Sequence, residues 1–176
     1  MAENLVEYLK SSAERWPDRT AVVDPSGSSL TFSQLWQRVD ALARFLAARG
    51  VGHGDRVGVA LPKTTASVTA LFAIMQAGAA YVPIDFTTPA ERGKRILTDC
   101  NVRVAFLDPR ALGVLPDGAT GIVCSGAEGS PVSFEEAIAT GGPAIEARAG
   151  RDDLAYILYQ VPVLVAVHAS EMLTLK

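Results

Sequence analysis

Leu154-Ala155-Tyr156-Ile157-Leu158-Tyr159-Gln160-Val161-Pro162-Val163-Leu164-Val165-Ala166-Val167 decides how this chain is read. Its first six residues form a short apolar run rich in β-branched and aromatic side chains, the pattern of a buried strand. Open α/β sheets bind ligands where such strands end. A loop of Gly, Ser and Thr is the expected sequel, because its backbone N–H groups can wrap phosphate oxygens. The sequel here, from Gln160 onward, holds no glycine. The chain carries an enzyme-like scaffold up to the edge of its chemistry and departs from it there.

Working outward, 176 residues at 49% hydrophobic suit one domain with a real core, or a piece of one. The net charge is −3, with Lys and Arg scattered among Asp and Glu, so no basic stripe exists to follow a nucleic-acid backbone. Nucleic acid is excluded as a partner on that ground. Cys100 and Cys124 stand far apart, without a CxxC or a neighbouring histidine. That opposes a zinc site, fits a reducing cytosol, and makes both thiols buried small hydrophobes. Acidic Glu3 and Glu7 in an amphipathic N-terminal pattern do not make a signal peptide. Residues 64–84 contain no charge, yet Gln76, Gly78, Pro83 and several threonines interrupt them. A membrane span needs about 20 apolar residues, so a buried helix followed by a buried strand is the better reading. A cytoplasmic chain without membrane contact is expected.

The rest of the chain alternates between two periods. Asn4-Leu5-Val6-Glu7 is a capping box opening a helix whose face is Leu5, Leu9, Ala13 and Trp16, stopped by Pro17. Residues 21–24 and 29–32 read as a hairpin around Pro25-Ser26-Gly27. Thr31 then caps a helix over 33–49 with Leu35, Val39, Leu42 and Leu46 on one face, ended by Gly50. A strand over 56–61 leads to a helix through Gln76 that places Val68, Leu71, Phe72 and Met75 together, and residues 79–84 form the next strand. Thr88-Pro89-Ala90-Glu91 predicts a helix start with Thr88 as cap, running to Asp99. Strands follow at 103–107 and 121–124, then a short helix from Ser133 closed by Gly141-Gly142-Pro143. Residues 108–120, 125–130 and 144–153 read as loops or linker. Strands alternating with helices at this spacing give an α/β fold, a mostly parallel sheet flanked by helices on both faces.

Two stretches invite a ligand and lose to plainer readings. Gly50-Val51-Gly52-His53-Gly54 has the glycines of a dinucleotide fingerprint, but a helix precedes it and a strand follows, the reverse of what that motif needs. It reads as a connecting loop with His53 facing solvent. Pro62-Lys63-Thr64-Thr65 puts a lysine and two hydroxyls at a helix start that could hold an anion. Without the glycines of a Walker loop, a capped helix start is favoured.

Three motifs carry a resemblance: Leu30-Thr31-Phe32-Ser33-Gln34-Leu35, then Met75-Gln76-Ala77-Gly78-Ala79-Ala80-Tyr81-Val82-Pro83-Ile84-Asp85, then Asp153-Leu154-Ala155-Tyr156-Ile157-Leu158-Tyr159. In order and spacing they resemble the opening motifs of adenylate-forming enzymes, the superfamily of nonribosomal peptide synthetase adenylation domains and AMP-forming acyl-CoA ligases. Residues 48–57 and 89–92 fit as well, and the tilt is toward the amino-acid-activating branch. The resemblance implies that residues 1–159 are part of an AMP-binding N-terminal domain and residues 160–176 a divergent tail in place of its phosphate loop. It implies ATP and Mg as cofactors of the full-length family, a carboxylate activated as acyl-adenylate, and a carrier-protein or CoA thiol as acceptor. In that family the phosphate loop is rich in Ser, Thr and Gly and ends in Pro-Lys-Gly, and no residue from Gln160 to Ser170 matches it. No catalytic, cofactor-binding or metal residue is therefore assigned, and no cofactor is expected for this chain alone. Gly78, Pro83 and Asp85 match motif positions that look structural.

The tail has two readings. Valine at every second position from Val161 to Val167 is what Gly-Ser or Gly-Thr codons give one base out of frame, as GGT TCC GGT becomes GTT CCG GT; such a shift would remove the loop and end the chain early at Lys176. Equally open is a genuine edge strand, with Pro162 at the edge. Function is accordingly expected to be that of an adenylate-forming ligase by ancestry, inactive alone. The alternative is a non-catalytic α/β interaction module that self-associates or docks onto a complementing C-terminal fragment.

Overall fold

A computed structural model describes residues 4–124, 132–145, 150, 152–160 and 163–168. Eight strands and five α-helices alternate along them: α1 (Leu5–Arg15), β1 (Thr20–Val23), β2 (Ser29–Thr31), α2 (Phe32–Ala48), β3 (Arg56–Ala60), α3 (Thr65–Gln76), β4 (Ala80–Pro83), α4 (Ala90–Asp99), β5 (Val104–Leu107), β6 (Thr120–Val123), α5 (Phe134–Thr140), β7 (Leu154–Gln160) and β8 (Val163–His168). β1 and β2 form a separate antiparallel hairpin. The main sheet has the order β6-β5-β3-β4-β7-β8, with the first five parallel and β8 antiparallel to β7.

Side-chain alternation along the strands builds a core on each face of the sheet. Val57, Val59, Val104, Phe106 and Tyr81 point to one face and pack against α1, α2, α3 and α5, where Leu42, Phe45, Leu46 and Ile74 are fully enclosed. Ala60, Val82, Ala105, Leu107 and Ile157 point to the other and meet Ile96 and Leu97 of α4. Gly58 lets α4 come this close, since a Cβ there would stand 2.8 Å from Leu97 Cδ2. The helix starts follow local chemistry. Asn4 Oδ1 accepts from Glu7 N at 3.0 Å, and Thr31 with Gln34 and Ser133 with Glu136 complete capping boxes.

Several sequence expectations give way to packing. Trp16 leaves the α1 face and is exposed, its ring flanked by the Arg15 and Arg19 guanidinium carbons at 5.3 and 5.6 Å; Val6 takes the core position instead. The buried face of α3 is Thr69, Ala70, Ala73, Ile74, Met75 and Gln76, with Val68, Leu71 and Phe72 only half-buried. That helix is apolar almost all round, so periodicity does not select a face; Ala70 and Ala73 allow the close approach to α2 and the sheet that does. Thr88 does not cap α4, whose N-cap is Pro89, because Thr88 N is drawn into a turn with Asp85 O at 2.8 Å. Residues 108–120 include a 3₁₀ helix, Pro109–Val114, started by Asp108 accepting from Arg110 N at 2.9 Å. Cys100 is buried, but Cys124 only partly so. The loop read over 125–130, parts of the linker over 144–153, and residues 161–162 and 169–176 of the tail lie outside the described residues.

Candidate functional site

The five parallel strands deliver their carboxyl ends to one edge of the sheet, and the chain leaves neighbouring strands there in opposite directions. β4 is followed by α4 and β5 on one side, β7 by β8 on the other. Crevices in open α/β sheets lie at such points. A cleft of about 410 Å³ opens there, bounded by Ile84, Asp85 and Thr88 after β4, by Arg92 and Ile96 of α4, and by Tyr159 at the end of β7.

The polar groups around it are tied into the scaffold. Asp85 accepts from Thr87 N at 2.8 Å and from Thr87 Oγ1 at 2.7 Å, and these bonds hold its carboxyl below the ordinary carboxylate value. Tyr159 Oη donates to Asp99 Oδ2 at 2.9 Å, so the end of β7 is tied to the last residue of α4, and that bond raises the phenol's pKa. At the end of β5, Asp108 is gripped by Arg110 through Nε at 2.7 Å and Nη2 at 3.1 Å, which keeps the carboxyl low. The Arg110 guanidinium also lies over the Phe86 ring at 4.6 Å. Arg92 adds positive charge to the cleft wall. The arrangement offers a polar cleft with one carboxylate, Asp85, and one guanidinium, Arg92, and its hydroxyl–carboxylate bonds, Thr87 to Asp85 and Tyr159 to Asp99, are surface ties of the scaffold. Among the described residues no group of three or more His, Cys, Asp or Glu is placed to hold a metal ion.

The residues singled out by sequence fall as follows. Gly78 has φ +83° and closes α3, with its N–H on Met75 O at 3.0 Å and Ala79 N on Ile74 O at 3.1 Å. Pro83 ends β4 in register with Val59. The loop over 50–54 sits at the opposite, amino edge of the sheet. There His53 is exposed, with Nδ1 3.4 Å from Asp153 Oδ2 beside a cavity of about 190 Å³ that Asp55 and Arg56 also line. At the Lys63-Thr64-Thr65 helix start, Thr64 N donates to Ser67 Oγ at 3.1 Å, as in a capped helix. The Asp24 carboxyl of the hairpin turn is held low first by the Ser26 hydroxyl. Burial raises both thiols, Cys124 to about 12, so neither is activated as a nucleophile. No helix among the described residues is long and apolar enough to cross a membrane. Sequence reasoning missed the Tyr159–Asp99 tie and the Asp108–Arg110–Phe86 assembly. Only the Asp-Pro start of the 3₁₀ turn signalled the second, and a bond across 60 residues leaves no local mark.

Comparison with known proteins fits this geometry. Residues 9–159 match the AMP-binding enzyme family. The pyochelin synthetase PchF of Pseudomonas aeruginosa is 39% identical over 145 residues, covering 81% of this chain and 7% of that protein. The phosphinothricin tripeptide synthetase PhsB of Streptomyces viridochromogenes is 35% identical over 158 residues, covering 90% and 13%. Among solved structures, a benzoate CoA ligase from Burkholderia xenovorans superposes with a TM-score of 0.86 at 26% identity, over 97% of this chain and 35% of that one. The nonribosomal peptide synthetase FmoA3, bound to alpha-methyl-L-serine-AMP, gives 0.81 at 30%, over 94% and 18%. The chain thus spans a small fraction of the length of the curated relatives it matches. Its parallel sheet and flanking helices are those of the N-terminal part of an adenylate-forming enzyme, and the chain belongs to the AMP-binding enzyme family.

Proposed function

We propose that this chain is a fragment of an ATP-dependent ligase that activates a carboxylate, an amino acid, as acyl-adenylate for transfer to a carrier-protein or CoA thiol, and that it is inactive alone. The family match and the peptide synthetases among its relatives support the ancestral activity. One observation carries the inactivity. After β7 the chain turns back as β8, with Gln160 paired to Val163 and Leu158 to Val165. Such backbone pairs with a neighbouring strand, whereas a phosphate loop must keep successive N–H groups free for oxygens. The strand-paired residues 163–168 therefore do not fit the triphosphate of ATP. On this reading residues 160–176 are a divergent tail where the phosphate loop would stand, in a cytoplasmic protein. The encoding DNA tests whether a shifted reading frame produced the tail; absence of a Gly/Ser loop in the other two frames after Tyr159 rejects that origin.

Amino-acid-dependent exchange of pyrophosphate into ATP is the direct assay of the main reading. The chain alone is expected to stay at background with every amino acid. Exchange above background with any carboxylate overturns the inactivity.

A further inference from the structure

We infer that the outer edge of β8 pairs with β8 of a second copy of this chain, joining two sheets across a two-fold axis. Among the described residues β8 is the last strand of the sheet, so one row of its N–H and C=O groups has no strand partner. Natural edges of this type are guarded by charge, most often lysine, or by covering chain. Residues 160–170 contain no Asp, Glu, Lys or Arg. The opposite edge is guarded. Outside β6, Val123 N donates to Val132 O at 3.0 Å and Val123 bridges Ser133 in parallel. Chain that leads into α5 thus occupies that edge at its carboxyl end.

This asymmetry selects the occupant. With β6 occupied at Val123, head-to-tail addition of sheets is obstructed there, and the open edge of β8 can be satisfied by its own copy in an isologous, closed pair. Antiparallel pairing of a strand with itself is self-complementary in hydrogen bonding. A two-fold through Val165 opposes Val165 to its own copy, Leu164 to Ala166 and Val163 to Val167, so that facing side chains share a side of the sheet. No two imidazoles face each other, and no charge repels. The inference concerns the chain itself and holds whether or not it ever adenylates.

Sedimentation velocity on the 176-residue chain, from about 1 to about 100 µM, should show a reversible species of twice 18.6 kDa. Val165→Lys and Ala166→Lys, adjacent in the strand and so of opposite side-chain parity, should each lower dimer affinity at least about tenfold. Val23→Lys, at a residue 62% exposed in the separate hairpin, should leave it unchanged. Should the lysine variants fail to fold, hydrogen exchange of the unaltered chain decides: amides of residues 163–168 must slow as concentration rises. A monomer at about 100 µM with concentration-independent exchange overturns the inference. So does a dimer that survives both lysines, or open-ended growth beyond two copies.

Discussion

Tyr81 and Tyr156 are direct partners across β4 and β7, and their rings stack with centroids 5.3 Å apart and planes 20° from parallel. This contact holds the outer third of the sheet to its centre. Stacked aromatic pairs contribute about 0.5–1.5 kcal/mol beyond the area they bury. Tyr156→Leu should destabilise the chain by about 1–2 kcal/mol in urea unfolding, and Tyr81→Ala by about 3–5 kcal/mol, because the latter also opens a cavity under α3.

The same pair sets an alkaline limit. Burial, then the neighbouring Tyr156, raises Tyr81 from 10.0 to about 12, and burial raises Cys124 from 9.0 to about 12. The folded chain keeps these protons while the unfolded chain releases them, so stability is complete below pH 9 and falls as pH rises toward 12. Cys124→Ala should flatten the fall that begins near pH 9, and Tyr81→Phe the part above pH 10. Absorbance at 295 nm during a pH titration should show a phenol ionising with unfolding that is lost in Tyr81→Phe.

Two glycines are space requirements. A Cβ on Gly142 would stand 2.5 Å from the Arg44 carbonyl oxygen, and one on Gly93 2.5 Å from Val114 Cγ1. Gly142→Ala and Gly93→Ala should each cost about 1–3 kcal/mol, the first nearer the upper end because backbone cannot yield as a side chain can. Gly52→Ala, with nothing within 4 Å and no left-handed φ, should change thermal stability little.

Thr31 Oγ1 accepts from Gln34 N at 3.2 Å while Gln34 Oε1 accepts from Thr31 N at 2.9 Å, closing the start of the 17-residue α2. Thr31→Ala should cost about 1 kcal/mol in chemical denaturation, and Thr31→Ser much less.

The Tyr159–Asp99 bond lies at the surface, so its loss should be local. Tyr159→Phe is expected to speed amide exchange near the end of β7 while leaving the unfolding midpoint closer to the parent's than Tyr81→Ala does. A midpoint shift equal to that of Tyr81→Ala would show that the tie supports the whole sheet.

Local chemistry was legible because it acts over a few residues. Asn4, Thr31, Ser133 and Gly78 each determine a helix end through a side chain or a φ within one turn, and the alternation of strands with helices implies a parallel sheet. The motifs ending at Asp85 and Tyr159 were enough to point to the family. Tertiary structure decided what periodicity leaves degenerate. It chose which side of the uncharged α3 is buried and turned Trp16 outward between two arginines. It also gave the stretch after Tyr159 its form. Alternating valines are compatible with any strand, but only the free edge of β7, with Gln160 opposite Val163, makes residues 163–168 an antiparallel sixth strand. Pairing across a sheet is settled by which backbone groups lack partners in space, and no sequence window contains that information.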